Sequence, residues 1–435
     1  MSKYSFSLQN YHAVKEAHID IDGLTVLAGI NGSGKSTLSR WLYYLINVMH
    51  EFEHIQKGYF VDSLANEIDK VVRLFRTDAL SSRYENYKDK VLQFKDREGL
   101  AEFQLGDLYT AFTLQAEKDL KNYVETATPV QKRRLTSYLI NDRMLEANEV
   151  ENVINYYVSH CTESYQKGLF DLKSKLSERL LVDLEETIQN EYGQYDWLPD
   201  EISIKEDGLP LFDHGSFIPP LMLSRAVYID SPMVLSDIDY YNVNSLWGKF
   251  KNLLFVPNGK MSSNERLLLL IQKIIGGKVK LEEDDIGFSQ ELHYVANNGV
   301  DIRIEDTATG IKSFAYISRL LENGWIDKET LLMIDEPEAH LHPQWIVEFA
   351  RLLVLIHKEL GAKIMIASHN PDMVAAIQSI ASKEDVIDRT KFYLAERDKD
   401  TMLYRFIDKG TEIGDIFESF NIAMSRIEQY GTALM

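Results

Sequence analysis

The sequence predicts an α/β fold, a mixed and largely parallel sheet interrupted by a large helical insertion, on three observations. Short apolar runs such as "LTVLA" (24–28), "TLLMID" (330–335) and "AKIMIASH" (362–369) alternate with amphipathic segments, as strands buried on both faces do. Glycine-rich or acidic residues follow two of those runs directly, at the strand ends where α/β sheets carry their chemistry. Between about 50 and 200 the texture changes to long polar stretches with few Gly or Pro, the mark of an inserted helical block.

The elements follow in order. Residues 1–28 read as strands: "YSFSLQNYHAVKEAHIDI" has short alternating pieces, and "LTVLAG" is a buried run ending in glycine. The first residues lack an uninterrupted apolar stretch and therefore read as a strand rather than a signal peptide. A helix begins at Ser36, with Leu38, Trp41, Leu42 and Leu45 on one side. The insertion is expected over 50–223, between core segments 1–49 and 224–435. Its clearest helix spans about 169–190, where Leu169, Leu172, Leu176, Leu180, Leu184 and Ile188 form one stripe. The steps do not alternate as a sustained heptad, so a compact bundle is favoured over a long coiled coil. Turn residues over 203–220 mark a loop-rich return to the core. A strand at 225–232, a polar helical connection, and strands within 277–306 joined at Asn-Asn-Gly come next. Helices from about 310 and 343 flank the strand at 330–335, and a strand pair lies near 391–406.

Composition narrows the function classes. With 435 residues, 45% hydrophobic and 26% charged, the chain can fill two or three cores without staples. Cys161, the one cysteine, makes no internal disulfide, and no apolar run reaches the roughly 18 residues of a membrane span, so a cytoplasmic protein is expected. A net charge of −20 disfavours a surface built to neutralise nucleic-acid phosphates. "QKRR" at 131–134 is the densest basic cluster and leaves a local groove open, beside the simpler reading of a solvated helix face.

Two stretches carry chemistry. "GINGSGKST" (29–37) fits G-x-x-x-x-G-K-[ST], the Walker A pattern, with Gly29, Gly34, Lys35 and Ser36 in register. A buried strand precedes it and an amphipathic helix follows. Such a loop turns the backbone N–H groups of Asn31, Gly32, Ser33, Gly34 and Thr37 toward phosphates, while Lys35 reaches the outer phosphates and the Ser36 hydroxyl can bind Mg²⁺. Hydrolysis also needs a carboxylate on the metal and a group that orients water. "LLMIDEPE" supplies both candidates: Asp335 at a strand end for the metal, and Glu336 beside it as base. A plain Gly-rich turn and a plain strand end are the alternatives, disfavoured because both motifs occur together and in order.

On these residues the chain resembles the ABC-type ATPase heads of the SMC, RecF and OLD-like group, including the stand-alone ATPases of bacterial anti-phage defence systems. The resemblance covers residues 1 to about 47 and about 224 to 435. It implies ATP and Mg²⁺ as cofactors, and gives three further stretches a meaning. "TATGIKSF" (307–314) looks like a variant signature motif, with Thr309 and Gly310 capping ATP held by the opposite subunit and Lys312 in the place of its polar last residue. A bare helix start is the other reading. "EAHLHP" (338–343) resembles the loop that crosses the dimer interface; His340 and His342 read as packed or interface residues rather than zinc ligands. His369 in "IASHNP" stands where similar proteins sense the terminal phosphate and orient the base. The group's glutamine between core and helical lobe is not assigned; Gln56, Gln93 and Gln104, or the junction at Ser231 and Pro232, stay open.

The leading functional expectation is an ATPase whose two copies close around two ATP molecules. It would serve as a switch, sensor or scaffold for a separate nuclease or toxin, as in Septu-like, retron-associated or PARIS-type systems. A homodimer or higher homo-oligomer follows, with no membrane partner. The alternatives are a DNA-repair or chromosome-maintenance clamp, disfavoured by the acidic balance, and an OLD-like ATPase-nuclease. For the latter the chain after Asn370 is too short, and "AERDKD" with Asp398 reads as a charged hairpin turn.

Overall fold

The computed structural model describes residues 2–76, 80–97, 99, 101–139, 150–193, 197–230, 246–259, 264–283 and 290–420. The chain divides into two compact units: Met1–His50 with Leu184–Met435, and Glu51–Asp183. Its elements begin with β1 (Tyr4–Tyr11), β2 (Val14–Ile21), β3 (Leu24–Ala28) and α1 (Lys35–Leu74). They continue through α2 (Ser81–Leu92), α3 (Glu102–Thr126), α4 (Pro129–Leu139), α5 (Val150–Glu178) and α6 (Leu181–Tyr192). Next come β4 (Ile202–Glu206), the two-residue β5 (Leu209–Pro210), β6 (Phe212–Asp213) and β7 (Ser216–Phe217), and β8 (Arg225–Ile229). Then follow α7 (Leu246–Phe255), α8 (Glu265–Ile275), β9 (Gly277–Glu283), β10 (Gln290–Ala296), β11 (Asp301–Arg303) and α9 (Thr309–Glu322). The last are β12 (Thr330–Asp335), α10 (Pro343–Leu360), β13 (Lys363–Ser368), α11 (Pro371–Lys383), β14 (Thr390–Arg397), β15 (Tyr404–Asp408) and α12 (Gly414–Phe420).

In the first unit a mixed sheet runs β5-β4-β1-β2-β15-β14-β3-β13-β12-β8. The stretch from β14 to β8 is parallel throughout. β3, β12 and β13 are buried at every residue, which is why they read as continuous apolar runs. β2 alternates buried and open positions, and its partner β1 is antiparallel. The register sets Ala28 opposite Ser368 and Asp335 opposite Ala367, so three strands finish level with one another. Beneath them α9 and α10 pack through Phe314, whose ring meets Trp345 and Phe349 edge-on at 5.7 and 5.1 Å. β9, β10 and β11 form a separate antiparallel sheet. The Asn-Asn-Gly turn joins β10 to β11, with Gly299 at φ +87°.

The structure redraws the insertion. Its loop-rich return at 203–220 contains β4, which pairs antiparallel with β1 from Tyr4–Glu206 to Leu8–Ile202 and so belongs to the main sheet. The turn residues close a tight hairpin beyond it rather than a loop. The single helix expected over 169–190 is two: Arg179 takes a left-handed φ of +48° between α5 and α6. One apolar stripe therefore serves two cores, with Leu172 in the helical unit and Leu184 and Ile188 counted with the sheet-bearing one.

The Glu51–Asp183 unit gathers its helices around Leu64, Ile68, Phe75, Tyr84, Phe112 and Tyr157. Among its buried acids, Asp119 accepts at Oδ2 from Arg83 Nη1 at 2.9 Å and from the Tyr84 hydroxyl at 2.8 Å. In "QKRR", Arg133 and Arg134 lie exposed on α4, the latter over the Tyr138 ring at 5.4 Å. Gln56, Gln93 and Gln104 all fall in this unit, and Ser231 and Pro232 lie outside the described residues.

Candidate nucleotide site

β3 ends at Ala28 and hands the chain to a turn whose glycines are required by geometry. Gly32 and Gly34 have φ of +77° and +94°, where an L side chain is strained. A Cβ at Gly34 would also stand 2.6 Å from Val14 Cγ2, and one at Gly29 would stand 2.7 Å from Ala395 Cβ. Close flanking strands thus press the loop into a cradle at the start of α1. Lys35 opens that helix and folds its amine back over the loop, donating to the Gly29 and Ile30 carbonyls at 2.8 and 2.9 Å. Burial pushes the Lys35 pKa down; the charges of Glu336, Asp335 and Glu338 pull it back up. Ser33 is buried, Ser36 and Thr37 half-buried, and Asn31 and Gly32 exposed. A buried ammonium, glycine-freed amides and a helix N-terminus converge on one point, which fits a bound triphosphate.

The acids arrive on β12. Asp335 is only 2% exposed, and accepts from the Tyr228 hydroxyl at 2.8 Å and from Ser39 Oγ at 3.1 Å. Burial raises its pKa, against hydrogen bonds from Ser36, Tyr228 and Ser39 that favour the carboxylate. A carboxylate held among hydroxyls one turn from Lys35 is a hard oxygen donor set suited to Mg²⁺. Ser36 and Asp335 are the residues that would hold the ion. Glu336 departs at once from the strand direction: its φ is +49°, and its N–H donates to the Ala367 carbonyl at 2.8 Å. That reversal turns its side chain, 41% exposed, away from the buried Asp335.

His369 follows β13 and stands beside two carboxylates. Its ring Nδ1 lies 3.4 Å from Glu338 Oε1 and 3.6 Å from Glu336 Oε1. Glu338 is buried, and its Oε1 accepts from Ser368 Oγ at 2.8 Å and from the His369 backbone N–H at 3.0 Å. Burial raises the Glu338 pKa, opposed by those donors and by the imidazole. Beyond them Asn370 caps α11, accepting from the Asp372 and Met373 N–H groups.

The 307–314 stretch sits elsewhere on the same unit. Thr309 is half-buried at the first turn of α9, whose cap residue Ala308 makes no side-chain cap bond. Gly310 is packed tightly: a Cβ there would stand 2.9 Å from the Trp345 ring and 3.1 Å from Leu341. Lys312 is buried and donates to the Glu305 carbonyl at 2.8 Å. Within one chain, then, loop 29–37, Asp335, Glu336 and His369 are brought together, while Gly310 packs against Trp345 in the first turn of α10. His342 is a helix cap, its Nδ1 accepting from the Gln344 N–H at 3.3 Å; His340 is exposed with φ +60°.

Three side chains of the site escape a reading of the sequence. Ser39 and Tyr228 serve Asp335 from α1 and β8, across 296 and 107 residues of chain. Glu338 lies within the quoted acidic stretch, and the spacing of a second acid behind Pro337 was its one available signal. Asp398 is held in the β14–β15 turn by Lys15 at 2.9 Å, Arg405 at 3.3 Å and the Thr401 N–H at 2.9 Å. The Lys15 amine and the Thr401 donors keep its pKa low.

Comparison with known proteins places the chain. The AAA ATPase domain family matches residues 1–374, and the chain belongs to that family. It therefore carries an AAA ATPase domain. The energy-coupling factor transporter ATP-binding proteins EcfA3 and EcfA2 of Clostridium perfringens are 35% and 34% identical over 97 residues, 22% of this chain and 33% of either relative. The chain therefore spans about a third of the length of the curated relatives it matches. Among solved structures, the SMC head domain of Thermotoga maritima is 10% identical, covering 94% of this chain and 99% of its own, with a TM-score of 0.38. A Pyrococcus furiosus Smc head bound to the C-terminal domain of ScpA is 11% identical, covering 99% and 100%, with a TM-score of 0.34. No helix among the described residues is long and apolar enough to cross a membrane.

Proposed function

We propose that this AAA-family ATPase works as an ATP-driven dimer. Each copy holds Mg²⁺·ATP through Asn31, Gly32, Ser33, Gly34, Lys35, Ser36 and Thr37, with Ser36 and Asp335 on the metal. The observation that carries this is the strand register, which ends β3, β12 and β13 together and so gathers an amine, a buried carboxylate, an exposed carboxylate and an imidazole at one sheet end. Bound Mg²⁺ would neutralise phosphate charge. Lys35 neutralises the outer phosphates, Glu336 orients and deprotonates the attacking water, and His369 lies within reach of Glu336 to fix its direction. The bent backbone at Glu336 suits it to that task, because it separates the base from the metal ligand beside it in sequence.

Thr309 and Gly310 would complete the site of a second copy, using the N-terminus of α9 as an anion site. Closure and hydrolysis are then linked, and the closed dimer acts as a switch, sensor or scaffold for a separate effector, a nuclease or toxin held in check in bacterial anti-phage defence. The experiment is light scattering of Glu336→Gln with and without Mg²⁺·ATP. Doubling of mass with nucleotide is expected. A monomer at saturating ATP would falsify the dimer.

A further inference from the structure

His369 Nδ1 is buried and makes no hydrogen bond, although two carboxylate oxygens lie almost equally near it, at 3.4 and 3.6 Å. Glu338 Oε2 is likewise buried and unbonded. Two orphaned polar atoms side by side in a protein interior are unusual, because buried groups that leave water nearly always find partners. Here the pair sits at the one place where β13 gives way to the site. The two acids also differ in kind. The Glu338 side chain is 2% exposed and fastened at Oε1 by Ser368 Oγ and the His369 N–H, whereas Glu336 is 41% exposed and turned outward. One ring N–H can donate in line to only one of them.

We infer that Glu338 is a positioning residue for hydrolysis: it pins the His369 backbone and offers the ring Nδ1–H a buried resting acceptor, from which His369 swings to Glu336 when nucleotide fills the site. Nothing in this role requires Glu338 to touch ATP or water. The fixed Oε1 holds the histidine in register with the strand end, and because the ring Nδ1 makes no hydrogen bond to it the ring is free to leave. Ser368 completes the device, since its hydroxyl donates to Glu338 and accepts from the Asn370 N–H at 3.1 Å, tying the anchor to the cap of α11.

The inference rests on the proposed ATPase site, and the experiment separates the two. Steady-state kcat and KM for Mg²⁺·ATP are measured on the full chain for wild type, Glu338→Ala, Glu338→Gln, His369→Ala and the Glu338→Ala/His369→Ala double variant. Glu338→Ala is expected to lower kcat by about 10- to 100-fold with KM within about threefold, the pattern of a lost transition-state contribution. Glu338→Gln keeps an oxygen that accepts from Ser368 and the His369 N–H, and should recover most of that loss. The double variant should be no worse than His369→Ala, because both changes act through one ring. Unchanged kcat in Glu338→Ala, a glutamine no better than alanine, or losses that multiply in the double variant each overturn the inference. A His369→Ala variant as fast as wild type also overturns it, and on its own removes His369 from the proposed site. If Glu338→Ala does not fold, Ser368→Ala takes its place: a kcat loss of about three- to tenfold that vanishes in the His369→Ala background is expected, and a loss that persists there overturns the inference.

Discussion

Asp335 and Asp119 are both buried acids, one at the end of the main sheet and one inside the helical unit, at 2% and 8% exposure. Asp119 has an arginine and a tyrosine hydroxyl, a charge and a donor that together satisfy it. Asp335 has only hydroxyls, and burial raises its pKa. Around it cluster a lysine whose pKa burial lowers, a glutamate with left-handed backbone, and the unbonded Oε2 of Glu338 and Nδ1 of His369. The acid of the helical unit is paired with a cation, and the acid at the sheet end is not. The difference fits the proposed site: one that is to receive Mg²⁺ and a polyanion would leave polar groups unsatisfied beforehand.

The largest effect that could break this contrast is chemical. Glu336→Gln should lower kcat by about 10²–10⁴-fold while ATP still binds, as loss of a general base does; phosphate release and a nucleotide titration measure the two. Comparable turnover in the variant would place the base elsewhere. Next in size is packing below the site. Gly310→Ala puts a Cβ 2.9 Å from the Trp345 ring and should cost about 1–3 kcal/mol in thermal unfolding, as overpacking does. The helical unit supplies the control: Asp119→Ala should destabilise by about 1–3 kcal/mol in urea, leaving kcat within about twofold. A large drop in kcat there would show that the two interiors are not independent.

The smallest effect on stability sharpens the contrast most. Asp335→Asn removes a desolvated charge and should stabilise the nucleotide-free protein by about 1 kcal/mol while abolishing hydrolysis. The sign with pH follows from the raised pKa. The folded state holds the Asp335 proton more tightly than the unfolded chain, so this contribution to stability is full below the ordinary carboxylate pKa of about 4. It is lost as pH rises through the folded value. The advantage of the asparagine variant should therefore grow from about pH 4 upward in denaturant melts, and a constant difference would deny the shift.

Much of the site was legible because its chemistry is local. The G-x-x-x-x-G-K-[ST] spacing demands a particular turn between strand and helix, and an acid after four apolar residues marks a strand end whatever surrounds it. The insertion was visible in texture, but its far end was not. Residues 202–206 join the main sheet through pairing with β1, across nearly the whole intervening chain. The break at Arg179 was hidden because the apolar stripe continues through it, and periodicity does not register a single left-handed residue.

Sequence alone marked out the residues proposed to meet phosphate and metal, and that the strands carrying them are covered on both faces, because spacing and hydropathy are properties of neighbours along the chain. Tertiary structure alone decided that Ser39 and Tyr228 serve Asp335, that Gly310 is a packing glycine under Trp345, and that Glu338 shares His369 with Glu336. Each of these depends on strand register and helix contact between distant segments. Contacts of that kind are fixed by the packing of the whole sheet, and no window of sequence contains them.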